Sequence, residues 1–343
     1  ILGFNKMIRD RNNTVMHGFL AAIISAISFS TLGIFAELLY YHGFSVLCAL
    51  AWRFLVAALF LWFVVYIRKH IQSKSILAKS DIEKRKDNHG QQGLWKSVFL
   101  LGLFGFSPQA GLFFLTVKIL DPGITSLLLY LYPSFVFLII FVWQHQKPKR
   151  IQVLALALSF MGCILTFWKA GSYPIIGLAL GILVAVAYAV YLVVAEHVLD
   201  GVDSLWATAI IMTAAALVYL CLALLEDTFL IPSSTEQFLI VLCIAIMASV
   251  LPIVTLFIAM QYLGARDTSI ISTIEPVFTN ILSILILGEK VTIQRIIGGV
   301  SILAGVLILN RWGYASHKKD SATDLNGPSS PLSKSPGTDE GKS

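Results

Sequence analysis

Two ionisable side chains of opposite sign interrupt otherwise apolar stretches of this sequence. Arg53 lies inside a run over 45–67, and Glu275 sits beside Pro276 inside a run over 268–288. A guanidinium offers a planar fork of donors suited to a carboxylate or phosphate. A carboxyl removed from water suits an ammonium group, or a proton that comes and goes. Each has a plainer use as well. Arg53 could pair with Glu37 or reach toward lipid headgroups, and Glu275 could be a neutral, hydrogen-bonded acid tying helices together. Thr268, Ser272, Glu275, Thr279 and Ser283 recur at spacings of 4, 3, 4 and 4, which lays one polar stripe along a helix face.

Other residue types join them. Tyr130 and Tyr132, Tyr188 and Tyr191, and Trp52 could stack on a substrate or its cation, or serve packing and the interface belts. Gln109 and Asn280 are polar groups close to prolines. The candidate substrate-binding set is therefore Glu275, Arg53, Tyr132, Tyr130, Gln109, Asn280, Ser272, Thr279, Tyr188, Tyr191 and Trp52. Glu37, Glu196 and Glu289 fall near the ends of apolar runs, where solvation or capping accounts for them. Catalytic chemistry finds no support. HExxH, GxSxG and GxxxxGK[ST] are all absent. The seven histidines have no metal-binding spacing, and the four cysteines, Cys48, Cys163, Cys221 and Cys243, lie singly in apolar runs. Neither an enzyme, a cofactor nor a metal site is expected.

Such residues need elements that hold them out of water, and composition supplies these. Of 343 residues 57% are hydrophobic and 13% charged, with a mean hydropathy of +0.82. A soluble globule of this size cannot bury that much apolar surface, so the partner is a lipid bilayer, and nucleic acid is not expected. Apolar runs fall at 18–39, 45–67, 94–117, 122–143, 151–168, 175–199, 205–225, 237–262, 268–288 and 293–310. A helix needs about 20 residues to cross a hydrocarbon core of about 30 Å, so the fold class is an all-α membrane protein of ten transmembrane helices. With the N-terminus in the cytosol, 20 of the 25 Lys and Arg lie on the inner side and 4 outside, which places both termini in the cytosol. The first run follows Lys6, Arg9 and Arg11 but is too long for a signal peptide. The chain opens on Ile1 rather than Met, so an upstream start is expected.

The sequence repeats. Segment 119–165 aligns with 262–308 at an offset of 143, matching Thr125 to Thr268, Pro133 to Pro276 and Gly162 to Gly305. The first and sixth runs align at 159, and Pro108 falls opposite Pro252 at 144. Five helices per copy is an odd number, so the second copy runs through the bilayer the opposite way, as in secondary transporters. The expected organisation is a cytoplasmic arm over 1–17, a first repeat over 18–168 with a cytoplasmic loop over 68–93, a second over 169–311, and a disordered cytoplasmic tail over 312–343. Pro108, Pro133, Pro252 and Pro276 mark the expected helix kinks.

Trp52-Arg53-Phe54, Tyr132-Pro133, Glu275-Pro276, Leu287-Gly288-Glu289-Lys290, Gly298 and Gly305, in that order, resemble the drug/metabolite transporter superfamily, EamA-like branch, across roughly 18–311. One departure shows: the first copy ends Gln144-His145-Gln146 where the second has Leu-Gly-Glu. The resemblance implies a carrier of small polar metabolites, often an amino-acid exporter, in the plasma (inner) membrane. Joined to the two charges, it gives an expected alternating-access carrier of an amino acid or similar zwitterion, with a proton as the coupling ion Glu275 could serve. The alternatives are an exchanger of a nucleoside-type or adenosyl metabolite, and an uncoupled facilitator or channel. A homodimer is compatible with Gly177-xxx-Gly181 but not indicated.

Overall fold

A computed structural model describes residues 2–75, 88–144, 150–167, 173–199, 202–290 and 292–313. Among them every regular element is helical, with fourteen α-helices. They are α1 (Leu2–Ser30), α2 (Leu32–Tyr41), α3 (Val46–Ser75), α4 (Asn88–Leu100), α5 (Ser107–Ile119), α6 (Pro122–Leu129), α7 (Tyr132–Gln144) and α8 (Arg150–Phe167). Then follow α9 (Ile175–Val198), α10 (Ser204–Leu225), α11 (Thr235–Ala245), α12 (Leu251–Ser272), α13 (Glu275–Leu287) and α14 (Ile293–Gly313). Seven described stretches are long and apolar enough to cross a membrane; Arg150–Leu165, Glu275–Leu287 and Ile293–Ile308 are shorter apolar helices.

Boundaries differ from the sequence reading in three places. The expected arm over 1–17 is helical from Leu2. The expected 68–93 loop is helical up to Ser75 and again from Asn88, because its charged ends continue the turns of the flanking apolar runs; 76–87 lie outside the described residues. The tail from 314 also lies outside them. Third, α12 carries helical backbone across 262–268, where two separate runs are expected. Gly18 of α1 packs on Tyr262 and Leu263, and Ile271 packs against the cluster of Ala21, Ala22 and Ala259.

The four prolines share one setting. Each is the second residue of a helix, and each helix follows an irregular turn. Pro108 and Pro252 follow π-helical stretches, Leu101–Phe106 and Ile246–Val250; Pro133 and Pro276 follow two-residue breaks at 130–131 and 273–274. A proline lacks the N–H that bonds four residues back, and its ring crowds that carbonyl. Widening or breaking the preceding turn relieves the crowding and leaves carbonyls seeking donors. Serines supply two. Ser107 Oγ donates to the Gly102 carbonyl at 2.7 Å, and Ser249 Oγ to the Ile244 carbonyl at 2.9 Å, each five residues back. The break at 273–274 also interrupts the expected polar stripe. Glu275, Thr279 and Ser283 share α13, whereas Thr268 and Ser272 belong to α12.

Three helix pairs share the most extensive contact: α8 with α14, α1 with α12, and α3 with α10. The first brings backbones together. A Cβ on Gly162 would sit 2.6 Å from the Gly298 carbonyl oxygen and 2.7 Å from the Ile302 nitrogen. A Cβ on Gly305 would sit 2.6 Å from the Ala155 carbonyl oxygen and 2.9 Å from the Ser159 nitrogen. Positions 155, 159 and 162 are the offset-143 counterparts of 298, 302 and 305, so each glycine meets the counterparts of the residues that meet the other.

Candidate functional site

Glu275 is the first residue of α13, at the break after α12. Pro276 cannot donate to the carbonyl of Ser272, and Tyr130, in the break between α6 and α7, donates its hydroxyl there instead. The same hydroxyl lies 2.9 Å from Glu275 Oε2. One tyrosine thus repairs the proline's missing bond and fixes the carboxylate. Glu275 Oε1 has no protein partner among the described residues. A row of phenol rings continues from there. Tyr130 meets Tyr132 edge-on at 5.9 Å between centroids, Tyr132 meets Tyr188 at 4.8 Å, and Tyr188 stacks on Tyr191 at 6.1 Å. The Tyr188 and Tyr191 hydroxyls likewise take no protein partner among the described residues. A carboxylate with a free oxygen beside π-faces is chemistry for a cation that carries N–H groups.

Tyr130→Phe removes the hydroxyl that serves both acceptors. The Ser272 carbonyl is then unpaired, and the expected loss is about 1–3 kcal/mol of stability, read as a lowered thermal midpoint of the purified protein in detergent.

Arg53 occupies a different neighbourhood. It is 4% exposed on α3, its Nε donates to Ser249 Oγ at 2.8 Å, and its guanidinium carbon lies 4.7 Å from the Phe54 ring centroid and 5.2 Å from that of Phe114. No carboxylate lies within 4.0 Å of it among the described residues, so the pairing with Glu37 considered from sequence is not formed. The π-helical stretch that precedes Pro252 presents Ser249 to it. The terminal nitrogens have no acceptor among the described residues, which suits an incoming anion.

Of the other sequence candidates, Ser272 and Thr279 flank Glu275, and Thr279 Oγ1 returns its hydrogen bond to the Glu275 carbonyl at 3.0 Å. Trp52 turns away from Arg53, donates Nε1 to the Leu230 carbonyl at 2.8 Å and stacks on Phe229 at 5.3 Å. Gln109 is buried on α5 directly after Pro108. The side chain of Glu196 lies outside the described residues.

Asn280 belongs to a third cluster, which sequence reasoning passed over. Arg295, at the start of α14, is 4% exposed and reaches three acceptors: Asp121 Oδ1 at 2.9 Å, Glu289 Oε2 at 2.8 Å and Asn280 Oδ1 at 3.0 Å. Asp121 caps α6 by accepting from the Ile124 N–H at 2.7 Å, and its Oδ2 accepts from the Tyr173 hydroxyl at 2.7 Å. Burial and that carboxylate hold the Tyr173 phenol above its ordinary range. Asp121 in Asp-Pro was a legible N-cap, but nothing in the spacing tied it to Arg295, 174 positions later.

A family model, the EamA-like transporter family, matches residues 16–168 and 175–311. An uncharacterised transporter of Archaeoglobus fulgidus is 26% identical over 218 residues, spanning 62% of this chain and 76% of that protein. The uncharacterised transporter YcbK of Bacillus subtilis is 25% identical over 291 residues, spanning 82% of this chain and 88% of that one. A solved crystal structure superposes with a TM-score of 0.57 at 16% identity, over 90% of this chain and 99% of its own, a likeness of fold.

Proposed function

We infer function from one premise: the chain belongs to the EamA-like transporter family, and is a multi-pass membrane transporter rather than an enzyme. We propose that it is a secondary carrier working by alternating access, built of ten transmembrane helices as a five-plus-five inverted repeat with both termini cytoplasmic. Three features support the repeat: the family match in two consecutive stretches, the prolines placed alike in both halves, and the reciprocal glycine contact of α8 and α14. A contact in which each side presents the same positions to the other is what a two-fold axis produces. An axis lying in the membrane plane relates halves of opposite direction.

The observation that carries the substrate reading is the Glu275 carboxylate, held by Tyr130 at a helix break and continued by Tyr132, Tyr188 and Tyr191. Glu275 holds the ammonium group of a small polar metabolite, or a proton. Arg53 with Ser249 offers donors to an anionic group in a neighbourhood joined to that of Glu275 through α2, which packs on both α13 and the 246–250 turn. Glu275 alone is suited to the ammonium group of an amino acid or similar zwitterion, so that substrate class is tested first.

Counterflow in proteoliposomes is the experiment. Vesicles are loaded with a mixed metabolite extract and offered labelled amino acids, then labelled nucleosides. Saturable exchange of amino acids is the expected result. Exchange confined to nucleosides transfers the reading to a base-stacking carrier, and a flux that rises linearly with concentration replaces the carrier with a pore.

A further inference from the structure

The cluster around Arg295 contains more acid than base. Nη2 of Arg295 bonds Asp121 Oδ1 and Glu289 Oε2 together, so two carboxyl groups meet on one nitrogen. Their side chains are 17% and 11% exposed. Glu289 Oε1 is buried and has no hydrogen-bond partner among the described residues. Two carboxylates on one guanidinium leave a net negative charge largely withdrawn from water, together with an acceptor that no described residue satisfies. One proton removes both faults: a carboxylic acid supplies the donor that two carboxylates lack, and the cluster becomes neutral.

We propose that Asp121 and Glu289 share one proton against Arg295, and that this cluster is a proton-binding site governing how firmly the α13–α14 connection is held to the start of α6. No part of the substrate reading is needed for it. The groups facing Glu289 can be named element by element. Asp121 comes from the start of α6, Arg295 from α14 and Tyr173 from the segment before α9. Glu37 of α2 adds a further negative charge beside Asp121. Lys118 and Lys290, the neighbouring cations in the chain, are exposed. Burial first, and then the charge of Asp121, push the Glu289 carboxyl from 4.5 up to about 7, with Arg295 pulling the other way.

The sign follows. The folded protein binds more protons than the unfolded chain between about pH 4.5 and 7, so stability declines as pH rises through that window and levels off above it. Below it the connection is clasped; above it the second carboxylate is expelled toward water. The clasp exists at one end only. By the 143-residue offset, the counterparts of Asp121, Glu289 and Arg295 are Gly264, Gln146 and Gln152, none of which ionises.

The test uses the purified full chain in lipid nanodiscs and needs no substrate. Infrared difference spectra between pH 5 and pH 8 should show a protonated-carboxyl C=O band that disappears on the alkaline side. The thermal midpoint should fall by a few degrees over the same range. Glu289→Gln should lose that band and flatten the midpoint. Asp121→Asn, which keeps the helix cap, should do the same even if Glu289→Gln misfolds. Glu275→Gln should leave the band in place. Because Glu275 can contribute a carboxyl band of its own, the deciding spectra are taken in a Glu275→Gln background: a band that survives there in both cluster variants, or no band in Glu275→Gln alone, overturns the proposal.

Discussion

Glu275→Gln should reduce saturable counterflow by up to about two orders of magnitude while the protein stays folded. The amide keeps the size of the carboxyl and can donate an N–H to the Tyr130 oxygen, which leaves the hydroxyl hydrogen for the Ser272 carbonyl. What is lost is the negative charge, and with it a charge-assisted contact to an ammonium group. Such a contact is worth about 1.5–3 kcal/mol, up to about a hundredfold in affinity. Any pH dependence of transport that arises from Glu275 should vanish as well. Glu275→Asp should fall between the two, because the shortened side chain draws back from Tyr130. Counterflow rates and thermal midpoints on the same preparations decide the matter. A Gln variant that transports like the parent would remove Glu275 from the mechanism.

The largest effect on stability is expected at Gly305. Even alanine adds a Cβ 2.6 Å from the Ala155 carbonyl oxygen, and a backbone atom cannot rotate aside as a side chain does. The helices must part instead, which forfeits packing along their length. Gly305→Ala should lose roughly 2–3 kcal/mol, and Gly305→Val should leave little monodisperse protein after detergent extraction. Gly162→Ala should behave alike, since it strikes the Gly298 carbonyl oxygen at the same distance. Gly93→Ala on α4 is the contrast: nothing lies within 4 Å of its Cβ, so a gain of about 0.5–1 kcal/mol is expected. Size-exclusion profiles and thermal midpoints of the four variants read out the order.

The helices were legible because membrane helices advertise themselves by length and apolarity, and the breaks were legible because proline cannot be hidden. Glu275 and its tyrosines were found individually by the same logic: costly groups in apolar runs. Their assembly was not visible, since Tyr130 and Glu275 are 145 positions apart and meet only because two broken helices cross. Arg53 illustrates the limit from the other side. Its charge stood out, but its setting between two phenylalanine rings and Ser249 depends on a π-helical turn for which the sequence gives only a proline as a clue. Arg295 is one of the four Lys and Arg that the orientation count leaves on the outer side. The cap at Asp121 and the loop carrying Glu289 draw it inward, and such long-range pairing leaves no local pattern.

The backbone contact of α8 and α14 also constrains how the protein can move. Two close approaches about two helical turns apart, each glycine on carbonyl, define a line along which the helices can neither slide nor separate without steric overlap or an open void. They can still roll. In the alternating-access carrier proposed above, that line would be the fulcrum of a lever: a tilt of one half against the other would pivot there, with displacement growing with distance from it. A covalent staple across this seam should therefore leave turnover intact, whereas one placed far from it should arrest the cycle.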